Sequence, residues 1–319
     1  MSGKIRVAVA GAGVFGRHHL RILSQSPQAE LAGVFDLAAD RATAAAADHK
    51  CRAFDSLSDL AGNIDAAIVA VPTSAHAEVG LPLLEKGIDL LVEKPIAADR
   101  ASAASLVEAA ARHHRILQVG HLEHYNPAVV ALKKIVTIPL FFEIHRLSLP
   151  GPRSLDVDVV LDLMIHDLEI VLDLVGAMPE DIQAAGISVL SDKADIANVR
   201  LAFPGGCIAN LTASRVSTER VRKLRLFQPH QYISLDYQKQ EAAAFTVSEQ
   251  KQIGFQMLPV AKAEPLKLEI ESFLESVRTR SRPAVSGEEA LRALDVALAV
   301  LAKIKAHTEL VAQRIQSLR

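Results

Sequence analysis

The sequence predicts an α/β protein. Its N-terminal part reads as a doubly wound parallel sheet, and its C-terminal part as a second α/β domain on a mostly antiparallel sheet. Three observations carry this reading. Up to residue 121, short apolar runs alternate with amphipathic or alanine-rich stretches, the order that produces parallel βαβ units. The first run, Val7 to Ala10, ends in Gly11-Ala12-Gly13-Val14-Phe15-Gly16, and the second, Leu31 to Phe35, ends at Asp36. From 182 to about 247, extended runs follow one another with turn signals and no helical stretch between them, which gives antiparallel pairing.

The glycine-rich turn has a specific physical reading. Gly11 permits the tight exit from the strand. Gly13 lacks a Cβ, so a pyrophosphate can approach the backbone. Gly16 lets the following helix, with Val14, Phe15, Leu20, Ile22 and Leu23 at roughly helical spacing, pack close to the strand. The helix N-terminus then offers unpaired N–H groups and partial positive charge to phosphates. Asp36, twenty residues beyond Gly16, is placed to accept hydrogen bonds from ribose hydroxyls and to repel a 2′-phosphate. The stretch therefore predicts a Rossmann-type dinucleotide site that favours NAD over NADP.

The rest of the first domain follows in order. Residues 38–49 form a second helix. Asp65 to Val71 is a buried strand closed by Pro72-Thr73, and Ser74 to Glu85 a helix ended by Gly87. Asp89 to Val92 is a strand ending at Glu93-Lys94-Pro95. Asp99 caps a helix to about His114, and Ile116 to Val119 is a strand ending at Gly120-His121. Ligands of such sheets bind beyond the carboxyl ends of the strands. The cofactor residues expected there are Gly11, Ala12, Gly13, Val14, Phe15, Gly16, Asp36, Val71, Pro72, Thr73, His76, Glu93, Lys94 and His121.

After His121 the pattern changes. Pro127 to about Ile135 reads as a short helix, 138–149 as extended, and 157–175 as a strongly apolar helix ended by Gly176. Pro204-Gly205-Gly206 marks the clearest hairpin. Residues 266–281 and 286–318 are helical again, with Ser286 and Glu289 as a capping box. The expected division is a NAD-binding domain at 1–121 and a substrate-binding and oligomerisation domain at 122–319, packed tightly with a cleft between them.

Composition narrows the function. Half of the 319 residues are apolar and 23% are charged, with a net charge of −2, so no nucleic-acid or anionic-membrane surface is indicated. Cys51 and Cys207 have no paired spacing, and neither a disulfide framework nor a metal site is expected. No apolar run reaches the roughly 18 residues of a membrane span, and the N-terminus shows no signal peptide. A soluble, cytoplasmic enzyme with a small-molecule substrate is expected.

Three groups of residues carry candidate chemistry. Lys94, held extended by the proline after it, is placed to hydrogen-bond a substrate hydroxyl and relay its proton. Asp162 and His166, at i,i+4 spacing on an otherwise apolar helix, pair a carboxylate with an imidazole, as a general base requires. Asp158 lies one turn earlier. The same pair can also be read as a satisfied polar stripe or as two metal ligands, although no third ligand has a convincing spacing. Tyr125 and Asn126, in the junction Gly120-His121-Leu122-Glu123-His124-Tyr125-Asn126-Pro127, are candidates for holding substrate hydroxyls or the nicotinamide, and can also be read as linker chemistry with an Asn-Pro turn.

Taken together, Gly11-Ala-Gly13-Val-Phe-Gly16, Glu93-Lys94-Pro95, Gly120-His121-x-x-x-Tyr125-Asn126-Pro127 and Asp162-x-x-x-His166-Asp167 resemble the glucose–fructose oxidoreductase, inositol dehydrogenase and rhizopine-catabolism (Gfo/Idh/MocA) family along essentially the whole chain. The resemblance implies NAD(P)-dependent oxidation of a sugar hydroxyl. It implies Lys94, His166 and Asp162 as the catalytic residues, and these three join Tyr125 and Asn126 as the expected substrate-binding residues. It also implies a large open sheet in the second domain whose exposed face makes homodimers or homotetramers. Within the family the motifs look most like the sugar-nucleotide branch, which oxidises C3 of UDP-N-acetylglucosamine or its uronic acid. His124 stands where that branch usually has arginine, which favours the neutral sugar. Oxidation of a free sugar or polyol, and a non-catalytic dinucleotide sensor, are the alternatives.

Overall fold

Val7, Ala8, Val9 and Ala10 have no exposed surface, and the strand they belong to, β1 (Ile5–Ala10), lies at the middle of a six-stranded parallel sheet. The computed structural model describes residues 3–151 and 157–316. The other strands are β2 (Ala29–Phe35), β3 (Arg52–Ala53), β4 (Ala66–Val69), β5 (Asp89–Glu93) and β6 (Leu117–Gly120), in the order β3-β2-β1-β4-β5-β6. The order in which strands are added reverses between β1 and β4, the switch point at which doubly wound sheets bind ligands. Strands β4 and β5 are buried apart from Glu93 and apolar between Asp89 and Glu93 at the two ends of β5, as the interior of a parallel sheet demands.

Helices α1 (Val14–Gln25), α2 (Ala39–His49), α3 (Leu57–Ala61), α4 (His76–Glu85) and α5 (Arg100–Arg112) connect these strands. Asp99 caps α5 as its sequence position requires, accepting the Ser102 N–H at 2.9 Å. Gly87, with φ +82°, follows α4.

The chain divides into two compact units: Met1–Leu122 with Glu264–Leu291, and Glu123–Ala263 with Arg292–Arg319. This differs from the contiguous division read from the sequence. Helix α8 (Pro265–Thr279) belongs to the first unit because its apolar stripe (Leu266, Ile270, Phe273, Leu274, Val277) packs with Val7, Leu20, Leu23, Ile68 and Leu91.

The second unit is built on an eight-stranded sheet. Its strands are β7 (Phe141–Leu147), β8 (Asp181–Ile187), β9 (Ile196–Ala202), β10 (Ile208–Ser214), β11 (Val221–Gln228), β12 (Gln231–Asp236), β13 (Glu241–Val247) and β14 (Ile253–Met257). They lie in the order β14-β13-β12-β11-β7-β10-β9-β8, and every neighbouring pair is antiparallel except β7 with β10. One face carries Phe142, Ile144, Leu201, Leu211, Leu224 and Ile233 into a core shared with α6 (Pro127–Lys133), α7 (Ile165–Val175) and α9 (Gly287–Gln316). On alternate positions Phe141, Phe227, Tyr232, Phe245 and Phe255 form a chain of ring contacts across five strands, with centroids 4.8–5.8 Å apart.

Two local details depart from the sequence reading. The helix expected over 157–175 is π-helical at Val160–Met164, where the Ile165 N–H donates to the Val160 carbonyl. Its start is pinned to residue 194: Asp158 accepts the Ala194 N–H at 3.0 Å, and the Val159 N–H donates to the Ala194 carbonyl at 3.0 Å. At α9, Glu289 accepts the Ser286 N–H at 2.9 Å, one half of the capping box, while the Ser286 hydroxyl donates to the carboxylates of Glu288 and Glu289. Residues 317 and 318 of the expected helix lie outside the described residues.

Candidate active site

The turn from β1 into α1 tolerates only glycine at two positions. Gly11 has φ +106°, and a Cβ there would lie 2.4 Å from the Ala70 carbonyl oxygen. A Cβ on Gly16 would lie 1.8 Å from the Gly11 carbonyl oxygen, so α1 closes directly onto the turn. Gly13 differs: a Cβ built there meets nothing within 4 Å. It is also the N-cap of α1 and supplies no side-chain acceptor, so the first N–H groups of the helix are left to a ligand or solvent. Val14 and Phe15 stand half-exposed beside it rather than on the buried stripe of α1, a correction to the spacing read from sequence.

Asp36 sits at the end of β2. Its carboxylate accepts the Ala12 N–H and the Ala38 N–H, both at 2.8 Å, and the Arg41 guanidinium at 2.9 Å. Partial burial works to raise this carboxyl, but the Ala12 and Ala38 donors and Arg41 outweigh it and hold it below the usual carboxylate range. Beside it Phe35, Leu37, Thr43 and Phe54 line a cavity of about 200 Å³. An open, uncapped helix start and an anchored carboxylate beside a cavity of mixed polar and apolar lining fit the pyrophosphate and adenosine parts of a dinucleotide.

Val71, Pro72 and Thr73 form the accessible loop after β4. His76 is buried, with Nε2 3.1 Å from the Val71 carbonyl and Nδ1 3.0 Å from the Pro95 carbonyl. Burial keeps its imidazole below the ordinary histidine range. Both ring nitrogens face backbone carbonyls, and a neutral imidazole has one N–H to donate, so His76 hydrogen-bonds one of them and packs buried between the Val71 loop and the segment carrying Lys94. Lys94 is half-buried, at the end of β5 before a cis Lys94–Pro95 bond. Glu93 is turned inward, with its carboxylate 2.6 Å from His19 Nε2. His121, after β6, is buried.

In the second unit Asp162 and His166 are both half-buried; Asp162 lies in the π-helical turn and His166 in the first turn of α7. The i,i+4 register of a regular α-helix therefore does not describe this pair. The residue after His166, Asp167, is buried and takes a bidentate hydrogen bond from Arg146, at 2.7 and 2.8 Å. Arg146 also donates to Glu123 at 2.9 Å and stacks over the Tyr237 ring at 4.9 Å. Burial alone would push this guanidinium down and the Glu123 carboxyl up; their pairing, with Asp167, reverses both shifts.

This network corrects the reading of Asn126. Its amide nitrogen donates to Glu123 at 3.1 Å and to the Tyr237 carbonyl at 3.0 Å, and its oxygen accepts the Ala128 N–H at 3.1 Å as the cap of α6. Asn126 is a buried structural residue whose amide hydrogens are both in use. Tyr125 is buried against the His124 ring, with centroids 5.4 Å apart. His124 itself is buried, its Nδ1 2.8 Å from Glu169 and its Nε2 2.8 Å from Lys133, so its employment is internal packing.

Arg146, Glu123, Glu169 and His19 were not singled out from sequence. A signal existed for Arg146: it occupies the inward position after Phe142 and Ile144 in an alternating strand. Among the described residues, no three His, Cys, Asp or Glu side chains are grouped to hold a metal ion, and no helix is long and apolar enough to cross a membrane.

The strand order, the glycine turn and the Asp36 anchor define the class: a Rossmann-type dinucleotide-binding oxidoreductase. Residues 5–121 match the oxidoreductase family with an NAD-binding Rossmann fold, residues 151–228 match the Gfo/Idh/MocA C-terminal domain, and the chain belongs to that family. It is 36% identical over 308 residues to UDP-N-acetylglucosamine 3-dehydrogenase of Acidithiobacillus ferrooxidans, covering 95% of this chain and 98% of that one. The crystal structure of that enzyme superimposes with a TM-score of 0.91, over 96% and 99% of the two chains at 35% identity. Inositol 2-dehydrogenase of Rhizobium meliloti is 24% identical over 94% of this chain and 97% of its own.

Proposed function

We propose that this enzyme oxidises a secondary hydroxyl, at C3, of a sugar nucleotide of the UDP-N-acetylglucosamine type, with NAD as hydride acceptor. The observation that carries the reading is the near-full-length similarity to a UDP-N-acetylglucosamine 3-dehydrogenase, against a weaker match to an inositol dehydrogenase. When bound, the nicotinamide supplies the hydride acceptor. Lys94 hydrogen-bonds the reacting hydroxyl, His166 takes its proton, and Asp162 orients His166 or the sugar. Tyr125 contributes to the substrate pocket; Asn126 does not, because its amide is spent on Glu123 and Tyr237. The aromatic face of the eight-stranded sheet is the surface we assign to homo-oligomer formation.

Thermal melting tests the substrate class. With NAD present, UDP-N-acetylglucosamine at 100 times its dissociation constant is expected to stabilise the protein by about 2.7 kcal/mol, and UDP alone by less. A shift with inositol and none with UDP would replace this reading by a free-polyol dehydrogenase.

The cofactor preference rests on Asp36, which presents its carboxylate beside the adenosine cavity while anchored to Ala12 and Ala38. Asp36→Ala is expected to weaken NAD about 10- to 100-fold, the worth of one to two charge-assisted hydrogen bonds. It is expected to improve NADP, since Arg41 loses its carboxylate partner and becomes available to a 2′-phosphate. Titration of both dinucleotides checks this, and an unchanged NAD-to-NADP affinity ratio would remove Asp36 from the discrimination.

A further inference from the structure

Lys94 has an unusual buried neighbourhood within the first unit. Strands β5 and β6 pair Leu91 with Gln118 and Glu93 with Gly120. Side chains alternate along a strand, so these four residues project to one face. It is the face covered by α1 and α8, because Leu91 packs with Leu20 and Leu23 of the one and Ile270 and Phe273 of the other. A Cβ on Gly120 would lie 3.2 Å from a Glu93 carboxylate oxygen, so Glu93 leans over Gly120 on that face. His19 of α1 reaches the other Glu93 oxygen at 2.6 Å. Glu269 of α8 is fully buried on the same side, and its backbone carbonyl accepts the Gln118 side-chain amide at 3.1 Å.

We infer that Glu269 is a neutral carboxylic acid that leaves the single negative charge of this buried face on Glu93, beside Lys94, an inference that rests on the role proposed above for Lys94. Both Glu269 carboxyl oxygens and the Gln118 amide oxygen are buried with no hydrogen-bond partner. An ionised Glu269 would be a second carboxylate there, with no donor for either oxygen; a proton on it supplies a donor on the face where the Gln118 amide oxygen lacks one. Burial and the nearby Glu93 charge both push the Glu269 carboxyl upward. For Glu93, burial acts upward too, but His19, Lys94 and His76 bring it below the usual range. Two carboxyl groups on one dry face thus carry a single negative charge, and it sits on the residue next to Lys94. The titratable groups facing Glu93 are His19 from α1, His76 from α4, Glu269 from α8 and its neighbour Lys94.

The arrangement makes Glu93, and not Glu269, the charge that favours the ammonium form of Lys94. Competitive acetylation of Lys94 across pH, read by mass spectrometry, measures this without any substrate. Glu93→Gln is expected to raise Lys94 reactivity at fixed pH about tenfold, a shift of about one unit in its midpoint. Glu269→Gln is expected to leave the midpoint unchanged, because a neutral amide replaces a neutral acid. Infrared spectra of the unmodified protein carrying carbon-13 glutamate should show a protonated carboxyl band at neutral pH, lost in Glu269→Gln. A Glu269→Gln shift equal to that of Glu93→Gln, or no protonated band in the unmodified protein, would overturn the inference. Full turnover by a Lys94→Ala enzyme would instead remove the role of Lys94 and leave the shared charge standing.

Discussion

Alanine at Lys94 is expected to lower turnover by about 10²- to 10⁴-fold, the range that general acid–base catalysis contributes, and alanine at His166 to do the same. Neither change should weaken NAD binding by more than a few fold. The phosphate and adenosine contacts proposed at Gly11–Gly16 and Asp36 are away from both side chains in sequence. Lys94 is half-buried at a strand end, and the segment after it packs on the buried His76, so the backbone keeps its course when the side chain is shortened. His166 precedes Asp167, which Arg146 holds by two hydrogen bonds of its own, so loss of the imidazole leaves that anchor in place. Initial rates of the reverse reaction, reduction of the 3-keto sugar by NADH, avoid the unfavourable equilibrium of alcohol oxidation. A change confined to KM, with kcat retained, would identify either residue as a binding group without a part in proton transfer.

The sequence was most informative where a local rule governs the structure. The apolar runs ending at Asp36, Pro72, Glu93 and Gly120 locate the parallel strands, because a buried strand must be apolar and its carboxyl end must turn. Asp99 and the Pro204–Gly206 turn act through neighbours a few residues away, and both features stand where the sequence puts them. The placement of α8 is a different matter. Its contacts join residues such as Gln118 and Glu269, 151 positions apart, and no local pattern records them. The π-helical turn at Val160–Met164 is equally silent, since Val-Leu-Asp-Leu-Met contains neither glycine nor proline to mark it. Asn126 shows a legible signal given the wrong weight. Asparagine before proline is a good helix cap with proline at the first helical position, and capping α6 is one of its uses here. Arg146 and Glu269 share a subtler sign: each is a charged residue at an inward position of an otherwise apolar stripe. The partners that make such a residue tolerable cannot be named until the fold brings them together.

Arg146→Met is the substitution expected to cost most in stability. Arg146 is fully buried and joins two carboxylates, Asp167 and Glu123, from separate elements. Methionine fills much of the volume but leaves both carboxylates buried without their cation, with Arg222, 3.5 Å from Glu123, as the nearest remaining guanidinium. Breaking a buried pair in this way costs about 3–5 kcal/mol, and here two carboxylates are stranded by one change. Urea unfolding should show this as a lower midpoint with an unchanged slope. The cost arises from stranded charge more than from lost attraction. Adding Asp167→Asn and Glu123→Gln to Arg146→Met should therefore recover most of the stability, although the single neutralisations alone should destabilise. A triple variant no more stable than Arg146→Met would mean that the guanidinium acts by its shape and its stacking on Tyr237. An Arg146→Met protein within about 1 kcal/mol of the unmodified one would mean that water reaches the cluster and the pairs behave as surface pairs. The triple variant also separates stability from function. Asp167 directly follows His166 and Glu123 stands two residues before Tyr125 in the chain, so a protein restored in stability but still slow would show that the charged network also fixes the orientation of those two side chains.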